Sequence, residues 1–163
     1  MPLRSRVILS VMNPLLHLRM DNSKSLINLL KTVNFKEMAT IFATKNGLKI
    51  SVEDTKCVQG NAFLHSQLFS EFSVSRAVVA FKINYSVFLD CFSVFGTSNQ
   101  TASTSLLLTY KTDGSTLDLL LEENGVIAEC SIHTVEAIEI LDFDFSNSNI
   151  TTKIIIKLCS PIT

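Results

Sequence analysis

The stretch FKEMATIFATKNGLKISVEDTKCVQGNAF, Phe35 to Phe63, constrains this chain more than any other. At its centre lies Asn46-Gly47, a pair that tolerates the positive φ of a two-residue hairpin turn. Before the turn, Met38 to Thr44 is rich in apolar and β-branched residues. After it, Leu48, Ile50 and Val52 alternate with Lys49, Ser51 and Glu53. That alternation describes a strand with one buried and one wet face. The region therefore predicts antiparallel sheet, and the rest of the chain must supply the layer that covers it.

Two segments carry the helical period instead. In the first, Asp21, Asn22 or Ser23 can cap, and Leu26, Leu29, Leu30 and Val33 form an apolar stripe with Lys24, Asn28 and Lys31 on the other side. In the second, Asn84 can cap, and Val87, Phe88, Cys91, Phe92 and Phe95 form a thick apolar face with Ser86, Asp90 and Ser93 opposite. Leu15 to Met20 reads as a first strand, and Val79, Phe81 and Ile83 alternate with polar neighbours. Leu106 to Lys111, Thr116 to Glu122 and Val126 to His133 form a meander through Asp113-Gly114 and Asn124-Gly125. Gly96 is placed as a helix C-terminal cap, and Gly60 as a bulge. The order is strand, helix, strands, helix, strands, in two halves that look alike. Antiparallel sheets with two helices on one face give an α+β fold.

Composition narrows the function classes. At 163 residues, 47% of them apolar, the chain can bury the core of one domain. Its 14 basic against 15 acidic residues argue against a general nucleic-acid-coating protein. No proline falls between Leu15 and Ser160 to mark a linker. Cys57, Cys91, Cys130 and Cys159 are widely spaced, as reduced cysteines of a cytosolic or nuclear protein would be. Arg4 and Arg6 precede an apolar run from Val7 to Leu18, but Asn13, Pro14 and His17 interrupt it, which reads against a secretion leader. No stretch reaches the ~18 uninterrupted apolar residues of a membrane span.

Chemistry-bearing patterns are few. Cys130 and His133 have a C-x-x-H spacing, yet on a strand they point to opposite faces, and a structural zinc site needs four ligands. Neither a metal nor another cofactor is expected. Asp142 and Asp144 in LDFDF share one face of an extended chain, and paired carboxylates are one part of a two-metal phosphodiesterase site. A solvated acidic edge, with Phe143 and Phe145 packed inward, is the simpler reading. No nucleophile elbow, phosphate-binding loop or dinucleotide fingerprint occurs. Lys24 and Lys31 form a small basic stripe, which can hold a phosphate backbone without reading bases.

Five segments, in order and spacing, resemble the Rad-one family, whose fold is that of the sliding clamp PCNA. They are LRMDNSKSLINLLKTVNFKE, MATIFATKNGLKISVEDTKCVQGNAF, INYSVFLDCFSVFG, LLLEENGVIAECSIHT and ILDFDFSNSNITTKIII, together covering roughly residues 18 to 157. The resemblance implies a PCNA-like domain. In that family two such domains make a subunit, and three subunits ring duplex DNA, with the helices lining the hole and the sheets joining across subunit edges.

The partners implied are the Rad-nine and Hus-one subunits of the nine-one-one checkpoint clamp, a clamp loader and duplex DNA held without sequence specificity, all in the nucleus. No membrane partner is implied. Lys24, Asn28 and Lys31 would then face DNA. Ile127, Glu129, Ser131 and His133 would face a neighbouring subunit from a strand whose Val126, Ala128, Cys130 and Ile132 point to the core. The implied division is a divergent segment 1–17, an N-terminal clamp domain 18–140, and a connector with the start of a second domain 141–163. Two alternatives stand beside a non-catalytic clamp subunit in DNA damage signalling and repair. One is a 3′-to-5′ DNA exonuclease using Asp142 and Asp144. The other is an interfering fragment that binds a clamp partner without closing a ring.

Overall fold

The computed structural model describes residues 13–55, 57–95 and 103–137. Its elements, in chain order, are β1 (Leu16–Met20), α1 (Lys24–Lys31), β2 (Met38–Thr44), β3 (Gly47–Asp54), β4 (Val58–His65), β5 (Glu71–Val74), β6 (Val79–Asn84), α2 (Tyr85–Cys91), β7 (Ser105–Tyr110), β8 (Leu117–Glu123), β9 (Val126–Ile132) and β10 (Thr134–Glu136). Gly96, Asp142, Phe143, Asp144, Phe145, Cys159 and the connector lie outside the described residues.

Two antiparallel five-stranded sheets form, in the orders β5-β1-β7-β8-β9 and β10-β6-β2-β3-β4. The resemblance between halves becomes concrete here. Each half is a strand, a helix and a three-strand meander. The leading strand of each half pairs with the meander of the other: β1 with β7, and β6 with β2. Neither half completes its own sheet, so the two fold as one unit around one core. Leu16, Leu18, Leu106, Leu117 and Leu119 from one sheet, and Ile41, Ile50, Phe81 and Ile83 from the other, are fully buried in it. The Phe81 and Tyr110 rings, 4.2 Å apart between centroids, join the sheets. Leu15 and Leu16 belong to this core, so the fold takes in residues ahead of position 18.

The two helices pack on each other, and α2 also packs on β2, β6 and β9. Asn84 caps α2 as its sequence position implies, its Oδ1 accepting from the Val87 N–H at 3.0 Å. Ser23 stands before α1 but does not cap it. Its hydroxyl donates instead to the Thr104 carbonyl at 3.1 Å, and its N–H reaches the same oxygen at 2.9 Å. The buried Thr104 hydroxyl in turn donates to the buried Glu123 carboxylate. The start of α1 is thus tied to β8 through β7's leading edge, and Ser23 trades capping for a tertiary bond. At the other end of α1, the buried Tyr85 hydroxyl donates to the Leu30 carbonyl at 2.9 Å. Burial pushes the Tyr85 phenol up to about 12, which keeps it a donor.

Several local expectations change. The tight turn is Lys45-Asn46 rather than Asn46-Gly47, because Gly47 already pairs with Thr44. Only Gly47 of these takes positive φ, at 139°. It also passes close under β4, where an added Cβ would meet the Leu64 carbonyl oxygen at 2.0 Å. Gly60 makes no bulge and pairs regularly with Val52. Its missing side chain makes room for the Phe35 ring, which an added Cβ would meet at 2.8 Å. Asn124-Gly125 is the tight turn expected, both residues in the left-handed region. Asp113-Gly114 sits in a longer connection, since Tyr110 pairs with Leu117. Leu29 and Val87 leave their apolar stripes and are exposed. Each lies at the flank of a helix whose buried face is narrower than the hydrophobic pattern, and on α1 Ile27 packs against the core instead.

Candidate nucleic-acid interface and sheet edge

Lys24, Asn28 and Lys31 fall at i, i+4 and i+7 along the α1 backbone. Asn28 and Lys31 are exposed, opposite the buried Leu26 and Leu30. Lys31 stands in the last turn, where the helix dipole favours a cation. No acidic residue occupies the first turn of α1 to weaken the stripe. A short row of amide and ammonium groups on a rigid helix suits contact with phosphate oxygens and carries no base-reading geometry.

The second helix differs. Its exposed positions are Val87, Asp90 and, just past its end, Ser93 and Val94. Asp90 adds a negative charge near the C-terminus, where it opposes the dipole and repels phosphate. The two helices pack on each other, and of the two only α1 carries basic residues among the described residues.

The edge formed by β9 can be read from its register. Glu123 and Val126 flank the two-residue Asn124-Gly125 turn, so they are the first hydrogen-bonded pair of the hairpin. Pairs alternate along an antiparallel ladder. Ile127, Glu129 and Ser131, opposite Glu122, Leu120 and Asp118, are therefore non-bonded pairs with respect to β8. Their N–H and C=O groups point away from β8, to the side where no strand follows among the described residues. Three of the four residues assigned to the edge thus carry the free backbone groups. The fourth, His133, is exposed between β9 and β10. Ile132 is buried, and Ala128 and Cys130 pack against the core. Val126 departs from the inward set and is 60% exposed beside Ile127 at 62%, because the strand's first residues overrun the core. Ser131 also donates to Asp118 at 2.9 Å. Burial raises the Asp118 pKa, but hydrogen bonds from Lys111, Thr116 and Ser131 outweigh it and hold the carboxyl below its ordinary value.

Cys130 and His133 are not brought together as ligands: one turns to the core and the other to solvent. Among the described residues no group of three or more His, Cys, Asp or Glu side chains is placed to hold a metal ion. Asp142 and Asp144 fall outside the described residues.

One surface was not singled out from the sequence. On the outer face of the second sheet, Phe42, Lys49 and Phe63 stand in one cross-strand row. The Lys49 ammonium lies 5.4 Å from the Phe42 ring centroid and 5.9 Å from that of Phe63. With Thr44, Leu64 and His65 they line a concavity of about 400 Å³ beside the Lys45-Asn46 turn. Phe63 is 70% exposed. The signal lay in the alternation itself, which puts Phe42 and Phe63 on the face that the pattern marks as wet.

Comparison with known proteins agrees with this geometry. The family described as "Repair protein Rad1/Rec1/Rad17" matches residues 15–159. The human protein named cell cycle checkpoint protein RAD1 is 48% identical over 139 residues, covering 85% of this chain and 49% of its own length. The mouse protein of the same name is 46% identical over 139 residues, covering 85% of this chain and 50% of its own. The chain therefore spans about half the length of the curated relatives it matches. Among solved structures, the PCNA2-PCNA3 complex from Sulfolobus tokodaii superposes with a TM-score of 0.65 at 19% identity, over 82% of this chain and 51% of that one. That likeness shows the fold. The match over nearly the whole described structure, with two interleaved halves and paired helices as its architecture, makes this chain a member of the Rad1/Rec1/Rad17 repair-protein family with a sliding-clamp fold.

Proposed function

We propose that this chain is the N-terminal clamp domain of a checkpoint clamp subunit, a non-catalytic component of a ring that encircles duplex DNA in the nucleus during damage signalling and repair. The division that goes with this reading is 1–17 as a divergent lead, 18–140 as the clamp domain and 141–163 as connector and start of a second domain, with the domain's first strand reaching back into the lead as far as Leu16. Lys24, Asn28 and Lys31 face the DNA. Ile127, Glu129, Ser131 and His133 meet the neighbouring subunit, of Rad-nine or Hus-one type, and a clamp loader places the ring on DNA.

The observation that carries this reading is the β9 edge. Free N–H and C=O groups at three alternate positions, beside exposed Val126 and Ile127, offer a template for a further strand. Sheet continuation across a subunit boundary is how a ring of such domains closes. α1 supplies the second requirement, a positive and sequence-blind surface on the helical layer.

The test is a proline at Ser131. Its N–H belongs to the outer side of β9, so Ser131→Pro removes an edge donor while leaving the β8 ladder intact. Co-purification with each partner clamp subunit should fall at least tenfold for the one that takes this edge. Thermal unfolding separates this from a collapsed fold. A variant that stays folded and binds both partners as well as the original chain would exclude β9 as the subunit edge.

A further inference from the structure

The outer faces of the two sheets differ in charge. On the first sheet, Glu71, Asp118, Glu122 and Glu129 stand against Arg19 and Lys111. Ion pairs to Glu71 at 3.5 Å and to Asp118 at 2.9 Å occupy both cations. On the second sheet, Lys49 and Lys82 stand against Glu53, with Lys45 at the adjoining turn. Among the described residues no ion pair engages any of these three lysines. Two neighbouring rows cross this face, Ala80-Phe42-Lys49-Phe63 and Lys82-Thr40-Ser51-Asn61. Phe42 is buried and forms the floor of the concavity, while the Phe63 ring stands free in its wall. The Ser51 hydroxyl donates to Asn61 Oδ1 at 2.6 Å and so fixes an exposed amide beside that ring.

We propose that the outer face of the second sheet binds single-stranded DNA, with one base stacked on Phe63 and the flanking phosphates on Lys45, Lys49 and Lys82. A single strand needs an exposed ring for a base face and free cations for its backbone, and this face offers both. Lys82 lies three strands from Phe63, roughly 14 Å at the usual strand spacing, so a strand of several nucleotides crosses the sheet. Lys49 already lies beside the Phe63 ring, which places a cation next to the stacked base. The concavity that Phe63 and Lys49 line has no acidic residue in its wall to repel a phosphate. Duplex DNA hides its base faces and cannot use the ring. This surface is separate from α1, whose basic residues belong to the helical layer. The clamp reading serves only to select DNA over RNA. Binding by the chain alone does not require a ring, so failure here leaves the Ser131→Pro test untouched.

The experiment titrates the full chain into a labelled oligothymidylate carrying one 2-aminopurine, and follows anisotropy together with quenching of the purine by stacking. The expected result is binding at low salt with quenching. Phe63→Leu, which keeps an apolar side chain but no ring, should weaken binding at least fivefold and abolish the quenching, while Phe63→Tyr should retain both. Phe63 is exposed, so thermal unfolding should be unchanged in either variant. Lys49→Gln with Lys82→Gln should weaken binding and flatten its salt dependence. Lys111→Gln, on the outer face of the first sheet, should leave it unchanged. Full affinity and quenching in Phe63→Leu would overturn the proposal. So would equal affinity for a duplex with the same number of phosphates, or tighter binding of oligouridylate. A folded chain that ignores the oligonucleotide at low salt, yet binds an acidic peptide bearing Phe or Tyr, would assign the face to a protein partner and likewise overturn it.

Discussion

The two halves of this molecule share a plan and differ in what they show to solvent. In the first, β2 to β4 follow α1, and in the second, β7 to β9 follow α2. Each lends its leading strand to the other's meander. The buried sides are alike, with alternating Leu, Ile and Val facing one core. The exposed sides are not. α1 carries Asn28 and Lys31, while α2 carries Val87, Asp90 and Val94. The outer strand of the first meander, β4, shows Val58 and Phe63, while that of the second, β9, shows Val126, Ile127 and Glu129. The shared topology conserves the scaffold, and the proposed roles in DNA contact and subunit pairing follow from the departures.

The sharpest way to break the comparison is through the glycines at the turns. Gly47→Ala places a Cβ at 2.0 Å from the Leu64 carbonyl with φ at 139°. Backbone strain of roughly 1–3 kcal/mol and overpacking of roughly 1–3 kcal/mol add to a loss on the order of 4 kcal/mol, enough to unfold a marginal domain. Gly125→Ala, in the second half, has φ at 80° and nothing within 4 Å, so only the conformational term remains, about 1 kcal/mol. Urea melts of both variants measure the ratio. Equal losses would mean that the close approach of β3 to β4 carries no energy.

Next come the bonds that stitch the halves. Thr104→Val strips a hydrogen bond from the buried Glu123 carboxylate and should cost about 1–3 kcal/mol. Tyr85→Phe removes only the neutral bond to the Leu30 carbonyl and should cost about 1 kcal/mol. Thermal shifts in the same order check both. The smallest effect is acid sensitivity at Asp118. Its folded pKa is held below the ordinary 3.8, so its stabilisation is present above that value and is lost as pH falls through the folded pKa. Asp118→Asn should flatten the acid limb of the stability curve slightly, and an unchanged limb would remove Asp118 from the account.

Much of the fold was legible because burial wrote it twice, once as alternation and once as helical period. Val79, Phe81 and Ile83 on β6, and Asn84 capping α2, stand where the pattern puts them. What was not legible depends on contacts between distant segments. Ser23 looked like a cap because nothing local reveals that Thr104 competes for it. Gly60 looked like a bulge because the Phe35 ring that fills its place is supplied by another part of the chain. Leu29 looked buried because periodicity gives a direction without the width of the covered face. On the site, the helical spacing that groups Lys24, Asn28 and Lys31 is readable from the sequence, but the Phe42–Lys49–Phe63 row is visible only once three strands are in register.

The central claim is that the first half alone supplies the positive surface of the helical layer. In the proposed clamp ring, with partner clamp subunits, loaded on circular DNA at low salt, retention after dilution tests it. Lys24→Glu with Lys31→Glu should shorten retention several-fold, the difference shrinking as salt is raised. Asp90→Lys on α2 should lengthen retention. Retention that is unchanged by the α1 double substitution at low salt, in a ring that still assembles, would contradict the account.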